Sequence, residues 1–140
     1  MNPICYILYR KPVTFDEAEE YCEENGGYLA RPGIDMENHY LRAKLMEEYS
    51  EEVEGGEEVY VWLGLRLKTS ERNGETRWIF PGSLESEYRD YLKDDPNTSY
   101  DEALEHDCTT FYGNKEVSSY FHWVTQPCNA RHPFICEFDL

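Results

Sequence analysis

Three cysteines crowd the last 33 residues of this chain, at positions 108, 128 and 136, and they restrict its fold more than any other feature. Cys128 and Cys136 stand eight residues apart in the run FHWVTQPCNARHPFICEF, on either side of a polar turn. The flanking segments are rich in aromatic and branched residues and read as adjacent strands. Cys22 lies far upstream in a helix-like segment. A nested pairing of Cys22 with Cys136 and of Cys108 with Cys128 would tie the start of the chain to its finish. Five cysteines with one left over allow many connectivities, and spacing alone does not choose among them. Their number in a small chain points to an oxidising compartment, secreted or extracellular. A zinc site would want close pairs such as C-x-x-C, and the sequence has none.

With 140 residues the chain is one domain's worth, residues 1–140 with a core from 5 to 138. Leu, Ile, Val and Phe number 28 and the net charge is -16, which approaches the composition of disordered chains. Against disorder stand 12 Tyr, 3 Trp and four pairable cysteines. Aromatic side chains bury large areas, and a bond closing a loop of roughly 100 residues stabilises by about 4 to 5 kcal/mol. The charge argues against nucleic acid and anionic membranes, whose phosphates are held by Lys and Arg. It leaves cationic ligands, basic proteins and mineral cations open. No apolar run approaches the 18 or so residues of a membrane span. Met1-Asn2-Pro3 leads straight into the domain without a secretory signal, as in an excised domain or a mature chain with an added Met.

Taken in order, Cys5 to Tyr9 reads as a strand that Pro12 ends. Thr14 and Glu17 form a capping box for a helix, Val13 and Ala18 a hydrophobic staple, and Asn25-Gly26-Gly27 its stop. Phe15, Ala18 and Cys22 share one face, so Cys22 points inward. Asp35 is the expected cap of a second helix, with Leu41, Leu45 and Tyr49 along its buried side. The run EEYSEEVEGGEE holds seven glutamates in twelve residues and reads as a solvated loop. In the strand from Val59 to Leu67 the apolar residues alternate, yet Trp62 falls on the opposite face, which predicts burial on both sides. Arg77 to Phe80 is the next strand. Beyond Pro81-Gly82 about 25 residues lack any sustained period before Cys108, and a loop of that length in a compact domain indicates function.

The ordered series EEYCEENGGYLARP, VWLGL, RWIFPGS, Y-x-x-D-D-P-N, HDC, W-x-x-x-x-C and FICEF resembles the marker set of the C-type lectin-like domain, from about Cys5 to the end. The resemblance implies an α+β fold in which two helices flank antiparallel strands, the terminal strands are neighbours, and the long loop carries the ligand site. It also implies the disulfides Cys22–Cys136 and Cys108–Cys128. In longer relatives a cysteine before the first strand pairs with one upstream. That partner is absent here, so Cys5 is expected to be a truncated remnant, ahead of a free thiol or an intermolecular bridge.

In sugar-binding relatives the loop supplies an acid-Pro-amide triplet with a cis proline and a further acid before the cysteine. An Asn-Asp pair after the Trp completes the calcium site, and sugar hydroxyls coordinate the ion. This chain has Asp95-Pro96-Asn97 at the triplet. His106 stands where the later acid belongs, with Glu105 and Asp107 beside it. Val124 and Thr125 replace the Asn-Asp pair, and valine offers calcium no oxygen. At the auxiliary calcium site Leu67 and Thr98 stand where acids are expected, and Glu71 and Asp107 match. Weak or no calcium binding is therefore expected, with Asp95, Asn97, Glu105 and Asp107 as the candidate ligand residues and Pro96 as the candidate cis proline.

Asn97-Thr98-Ser99 is also an N-glycosylation sequon, marking the chain as a candidate glycoprotein. His39, His106, His122 and His132 are scattered and accompany no catalytic motif, so the chain reads as a binding protein and not an enzyme. The expected function is extracellular recognition of a protein or glycan through the long loop and neighbouring strands, without the standard calcium-bridged sugar site. Tyr88, Tyr91, Tyr100, Phe111, Tyr112, Tyr120 and Phe121 supply contact material near it, some of them in the core. The alternatives are calcium-dependent carbohydrate binding through the altered Asp-Pro-Asn triplet, and a structural role at a mineral or ice surface.

Overall fold

The computed structural model describes residues 3–69, 72–92, 106–116 and 121–140. Strand β1 (Ile4–Val13) runs to Thr14, whose hydroxyl accepts the Glu17 N–H at 3.3 Å while the Glu17 carboxylate accepts the Thr14 N–H at 3.0 Å. This reciprocal cap starts helix α1 (Phe15–Glu24), and Asn25 with Gly26, at φ 87°, ends it. Phe15, Ala18 and Cys22 are fully buried along one face. After the short β2 (Tyr28–Leu29) comes helix α2 (Asp35–Glu48). Asp35 is its first residue rather than its cap, because its carboxylate accepts the Tyr88 hydroxyl at 3.0 Å. Leu41, Leu45 and Tyr49 are buried as the period predicts.

The glutamate run is not a loop throughout. Ser50–Glu54 form a short helix, α3, because Val53 is an apolar anchor at 6 % exposure. Arg10 stacks over Tyr49 at 4.4 Å and meets Glu48 and Glu52 at 3.4 and 3.7 Å, which ties this end of the chain to β1.

The remaining strands are β3 (Val59–Thr69), β4 (Thr76–Ile79), β5 (Cys108–Gly113), β6 (His122–Gln126) and β7 (His132–Asp139). They form one sheet in the order β1-β7-β3-β5-β6, with β2 also on β7 and β4 on β3. β1 and β7 pair antiparallel from Ile4 opposite Asp139 to Tyr9 opposite Phe134, so the two ends of the chain are neighbours. β7 meets β3 in the parallel sense at Phe134 and Trp62, which makes the sheet mixed.

The segments around Cys128 and Cys136 are not adjacent strands: β3 and β5 separate β6 from β7. Cys128 lies in the turn after β6, and its carbonyl accepts the Phe15 N–H at 3.1 Å. That turn carries the chain from one side of the sheet back to the other. Cys108–Cys128 pins it to the start of β5, and Cys22–Cys136 ties α1 to β7 across 114 residues.

Burial on both faces of β3 follows from two cores. Val61, Leu63 and Leu65 pack with Leu41, Leu45 and Trp123, whereas Trp62 packs with Phe15, Cys22 and Phe134 on the other face. The Trp62 ring meets Phe15 edge-on at 5.6 Å, and its N–H donates to Val13 O at 2.8 Å. Gly64 lets β3 pass close to the chain after β2: its N–H donates to Ala30 O at 2.7 Å, and a Cβ there would lie 2.7 Å from Leu29 O. Among the described residues, no helix is long and apolar enough to cross a membrane.

Candidate recognition surface at the root of the long loop

The loop leaves β4 through a tight turn at Pro81–Ser83. Gly82 adopts φ 69° there, and a Cβ would sit 2.6 Å from the Tyr28 ring, so both backbone and space require glycine. Arg31 holds this corner. Its backbone N–H and Nε donate to Glu137, the latter at 3.0 Å, its Nη1 donates to Pro81 O at 3.2 Å, and its guanidinium covers Tyr28 at 4.2 Å. Burial pushes the Glu137 carboxyl up against the downward pull of Arg31.

From this corner residues 84–92 run along α2 and reach β6, held by polar side chains that local sequence reading did not single out. Ser86 Oγ donates to Gly33 O at 2.6 Å and accepts the Tyr88 N–H at 3.1 Å. Asn38, fully buried on α2, is the hub. Its carbonyl accepts the Trp123 indole N–H at 2.8 Å, and its amide donates to Asp90 at 2.9 Å and to the Tyr88 hydroxyl at 3.2 Å. Burial, reinforced by Asp35 as acceptor, pushes Tyr88 up to about 12.

Asp90 also meets His122 Nδ1 at 3.2 Å and Arg42 at 3.6 Å, while Arg42 Nη2 lies 3.2 Å from His122 Nε2. A neutral His122 satisfies both neighbours by donating from Nδ1 and accepting at Nε2. The backbone joins in: Trp123 N–H donates to Asp90 O at 3.0 Å and Leu92 N–H to Trp123 O at 2.9 Å, so the loop root lies beside β6 like a further strand. The rings of Tyr88 and Tyr91 both stand edge-on to Trp123, and the Tyr91 hydroxyl bonds Thr109 at 2.9 Å. One signal was available in the sequence: Asn38 lies three residues before Leu41 on the apolar stripe of α2, a polar residue at a core position.

Of the expected ligand residues, Asp95, Pro96, Asn97 and Glu105 lie outside the described residues, as do the sequon, Glu71, Thr98, Tyr100 and Tyr120. Asp107 is half-buried beside Cys108, and its carbonyl accepts the Leu67 N–H at 2.8 Å. Val124 and Thr125 are 8 % and 3 % exposed within β6, opposite Thr110 and Thr109 of β5. The strand that would provide half of a calcium site thus presents a hydrocarbon side chain and a buried neutral hydroxyl. The neighbouring carboxylate, Asp90, is already engaged by Asn38, Arg42 and His122. These residues do not fit the ion, and the described residues include no cluster of three metal-ligating side chains.

The aromatic residues divide. Phe111 and Phe121 are fully buried core. Tyr112 stands in β5 opposite His122 of β6, and its hydroxyl donates to Glu58 at 3.0 Å. Only Tyr88 and Tyr91 among those described stand at the loop root. Cys5, half-buried in β1, forms no disulfide with another described residue.

A disulfide-stapled mixed sheet that carries a long loop rooted on a buried polar hub is the structure of a lectin-like binding domain. The family model of the lectin C-type domain matches residues 11–138, and the chain belongs to that family. It is 27% identical over 135 residues to one chain of the snaclec coagulation factor IX-binding protein of Gloydius halys, covering 95% of this chain and 96% of that one. It is 26% identical over 136 residues to the gamma chain of the snaclec rhodocetin of Calloselasma rhodostoma, covering 96% and 87%. Among solved structures, human lithostathine superposes with a TM-score of 0.70 at 20% identity over 98% of this chain and 84% of that one. Herring type II antifreeze protein superposes with a TM-score of 0.73 at 21% identity over 100% and 94%. These two likenesses speak to the fold.

Proposed function

We propose that this chain is an extracellular recognition domain that engages a protein or glycan by direct contacts from its long loop and the strands beside it, without a calcium-bridged sugar. The observation that carries the reading is the replacement of ion-binding donors on β6 by Val124 and Thr125, both packed into the sheet. Two disulfides support an oxidising, extracellular setting. A snaclec relative whose name states that it binds coagulation factor IX is consistent with a protein ligand. Asp95, Asn97, Glu105 and Asp107 are proposed as direct contacts of the loop, with Pro96 in cis; a glycan on Asn97, the acceptor of the sequon, would cover that amide and replace its contact. The reading assigns binding and no catalytic step.

The test is a glycan array and a panel of immobilised secreted proteins, each probed in calcium and again in chelator. Binding unchanged by the chelator supports the reading. Signal that disappears on chelation and in Asp95→Ala refutes it in favour of an altered calcium-dependent sugar site.

A further inference from the structure

Helix α2 buries Leu41 and Leu45 against the sheet, yet its opposite side is also apolar. Met36 and Tyr40 are 78 and 51 % exposed there, and Ala43 is exposed next in line. Positions 36, 40 and 43 have the four-then-three spacing with which one helix packs on another, and alanine at the third lets two backbones approach. Beside this stripe lies a groove of about 290 Å³ between α2 and β1. Leu8, Leu41, Leu45 and Ile135 line it with hydrocarbon, and its charged members are Lys44 and Glu48. Glu48 is already met by Arg10 at 3.4 Å. One surface thus carries both an exposed, unbranched knob and an apolar hole, about 12 Å apart along the helix from Met36 to Lys44.

The charges along the stripe are arranged to match themselves. Glu37 and Lys44 stand three residues before and four after Tyr40, both on the side of β1: Lys44 lines the groove, and burial followed by the charge of Glu37 raises the pKa of Tyr6 on β1. Lys44 is half-exposed, lies 5.9 Å from the Tyr40 ring and makes only a long 3.8 Å contact with Glu47. When two such helices run antiparallel with Tyr40 near a two-fold axis, Glu37 of each falls opposite Lys44 of the other, and Met36 of each falls opposite the other's groove. A surface with a knob and a hole closes into a dimer only through such an axis. The net charge of -16 opposes self-association at long range, but physiological salt screens it beyond about 8 Å, and the charges that come nearest are of opposite sign.

We infer that the outer face of α2, with the groove beside it, is the docking surface for a second copy of this chain in a two-fold dimer. Met36 enters the partner's groove, Tyr40 and Ala43 pack across the axis, and two symmetry-related Glu37–Lys44 pairs set the register. No residue of the long loop takes part, so the surface is separate from the proposed ligand site and survives a wrong reading of it.

The test is sedimentation velocity of the full chain at physiological salt, from about 5 µM to about 1 mM so that weak specific contacts are reached, with amide chemical shifts mapping the contact. A monomer–dimer equilibrium is expected, with concentration-dependent shifts from Met36 to Lys44 and at Tyr6 and Leu8. M36E, on a side chain that contributes little to the fold, should weaken the dimer at least tenfold. E37K and K44E each turn two attracting pairs into two repelling ones and should each weaken it about tenfold. Mixed together, the two variants should recover the dimer, because every chain of one then meets opposite charges on the other; a damaged fold in either variant cannot produce that recovery. A chain that stays monomeric at about 1 mM, a dimer that M36E leaves intact, or an E37K and K44E mixture no tighter than either alone overturns the inference. So does a dimer that disappears in C5S, which would be a thiol-linked pair, or one whose shifts miss α2.

Discussion

Replacing Asn38 tests the hub directly. Its side chain is fully buried and serves Trp123, Asp90 and Tyr88 at 2.8, 2.9 and 3.2 Å. Asn38→Ala leaves the Trp123 indole N–H buried without an acceptor, which costs about 1–3 kcal/mol, and takes one donor from a carboxylate, about another 1.5. With a small cavity added, the expected loss is about 3–4 kcal/mol from a native stability typically of about 5–15. Asn38→Leu fills the space but still leaves the indole N–H without an acceptor and Asp90 one donor short, so it should rescue little. Asn38→Asp separates the roles: it keeps the acceptor for Trp123 but sets a carboxylate beside Asp90. The new carboxyl has a folded pKa above its unfolded value of about 3.9, so the native state holds the extra proton between the two values. Stability of this variant, relative to the parent, therefore falls as pH rises through that interval and recovers on acidification. Urea unfolding at pH 7 and pH 5, followed by tryptophan fluorescence with disulfides intact, measures both effects. A loss under about 1 kcal/mol in Asn38→Ala, or no acid recovery in Asn38→Asp, would refute the assignment of Asn38 as the hub.

Chain entropy predicts that the Cys22→Ala/Cys136→Ala pair costs about 5 kcal/mol and the Cys108→Ala/Cys128→Ala pair about 3, because the loops span 114 and 20 residues. Denaturant midpoints that reverse this order would contradict it. Gly26→Ala, where φ is 87° and no atom lies within 4 Å of the new methyl, should cost only about 1 kcal/mol of backbone strain. Gly64→Ala meets the Leu29 carbonyl at 2.7 Å and should cost more, since two strands would have to part; calorimetry of the two variants decides. Burial lowers His132 to about 4, against the rings of Tyr60 and Trp62 at 5.0 and 4.9 Å. The unfolded chain then binds the extra proton between about pH 6.5 and 4. Stability is full above that window and falls as the pH drops through it. His132→Gln should flatten this part of a stability profile.

Local rules were legible wherever the partners are close in sequence. The Thr14–Glu17 cap lies within four residues, and the buried faces of α1 and α2 repeat with the helix period. Trp62 announced a two-sided strand because its size has no place on a solvated face. Asp35 misled, since its carboxylate had a choice between the helix N–H groups and a hydroxyl 53 residues away, and took the latter. The glutamates around Val53 obscured α3 because their charge is compatible with both an exposed helix and a loop. Nothing local reveals that Asn38, Asp90, His122 and Trp123 meet, since three separate elements bring them together.

Cysteine placement and the ordered markers were sufficient for the fold, because an amino acid's chemistry travels with its identity. Strand order was decided only in three dimensions. β6 and β7 follow one another along the chain yet lie apart in the sheet, because each strand pairs where its buried face finds a core and its backbone finds a neighbour. The loop root is the same kind of outcome: a buried amide on α2 selects, from a chain with 29 carboxylates, the one that packing delivers to it.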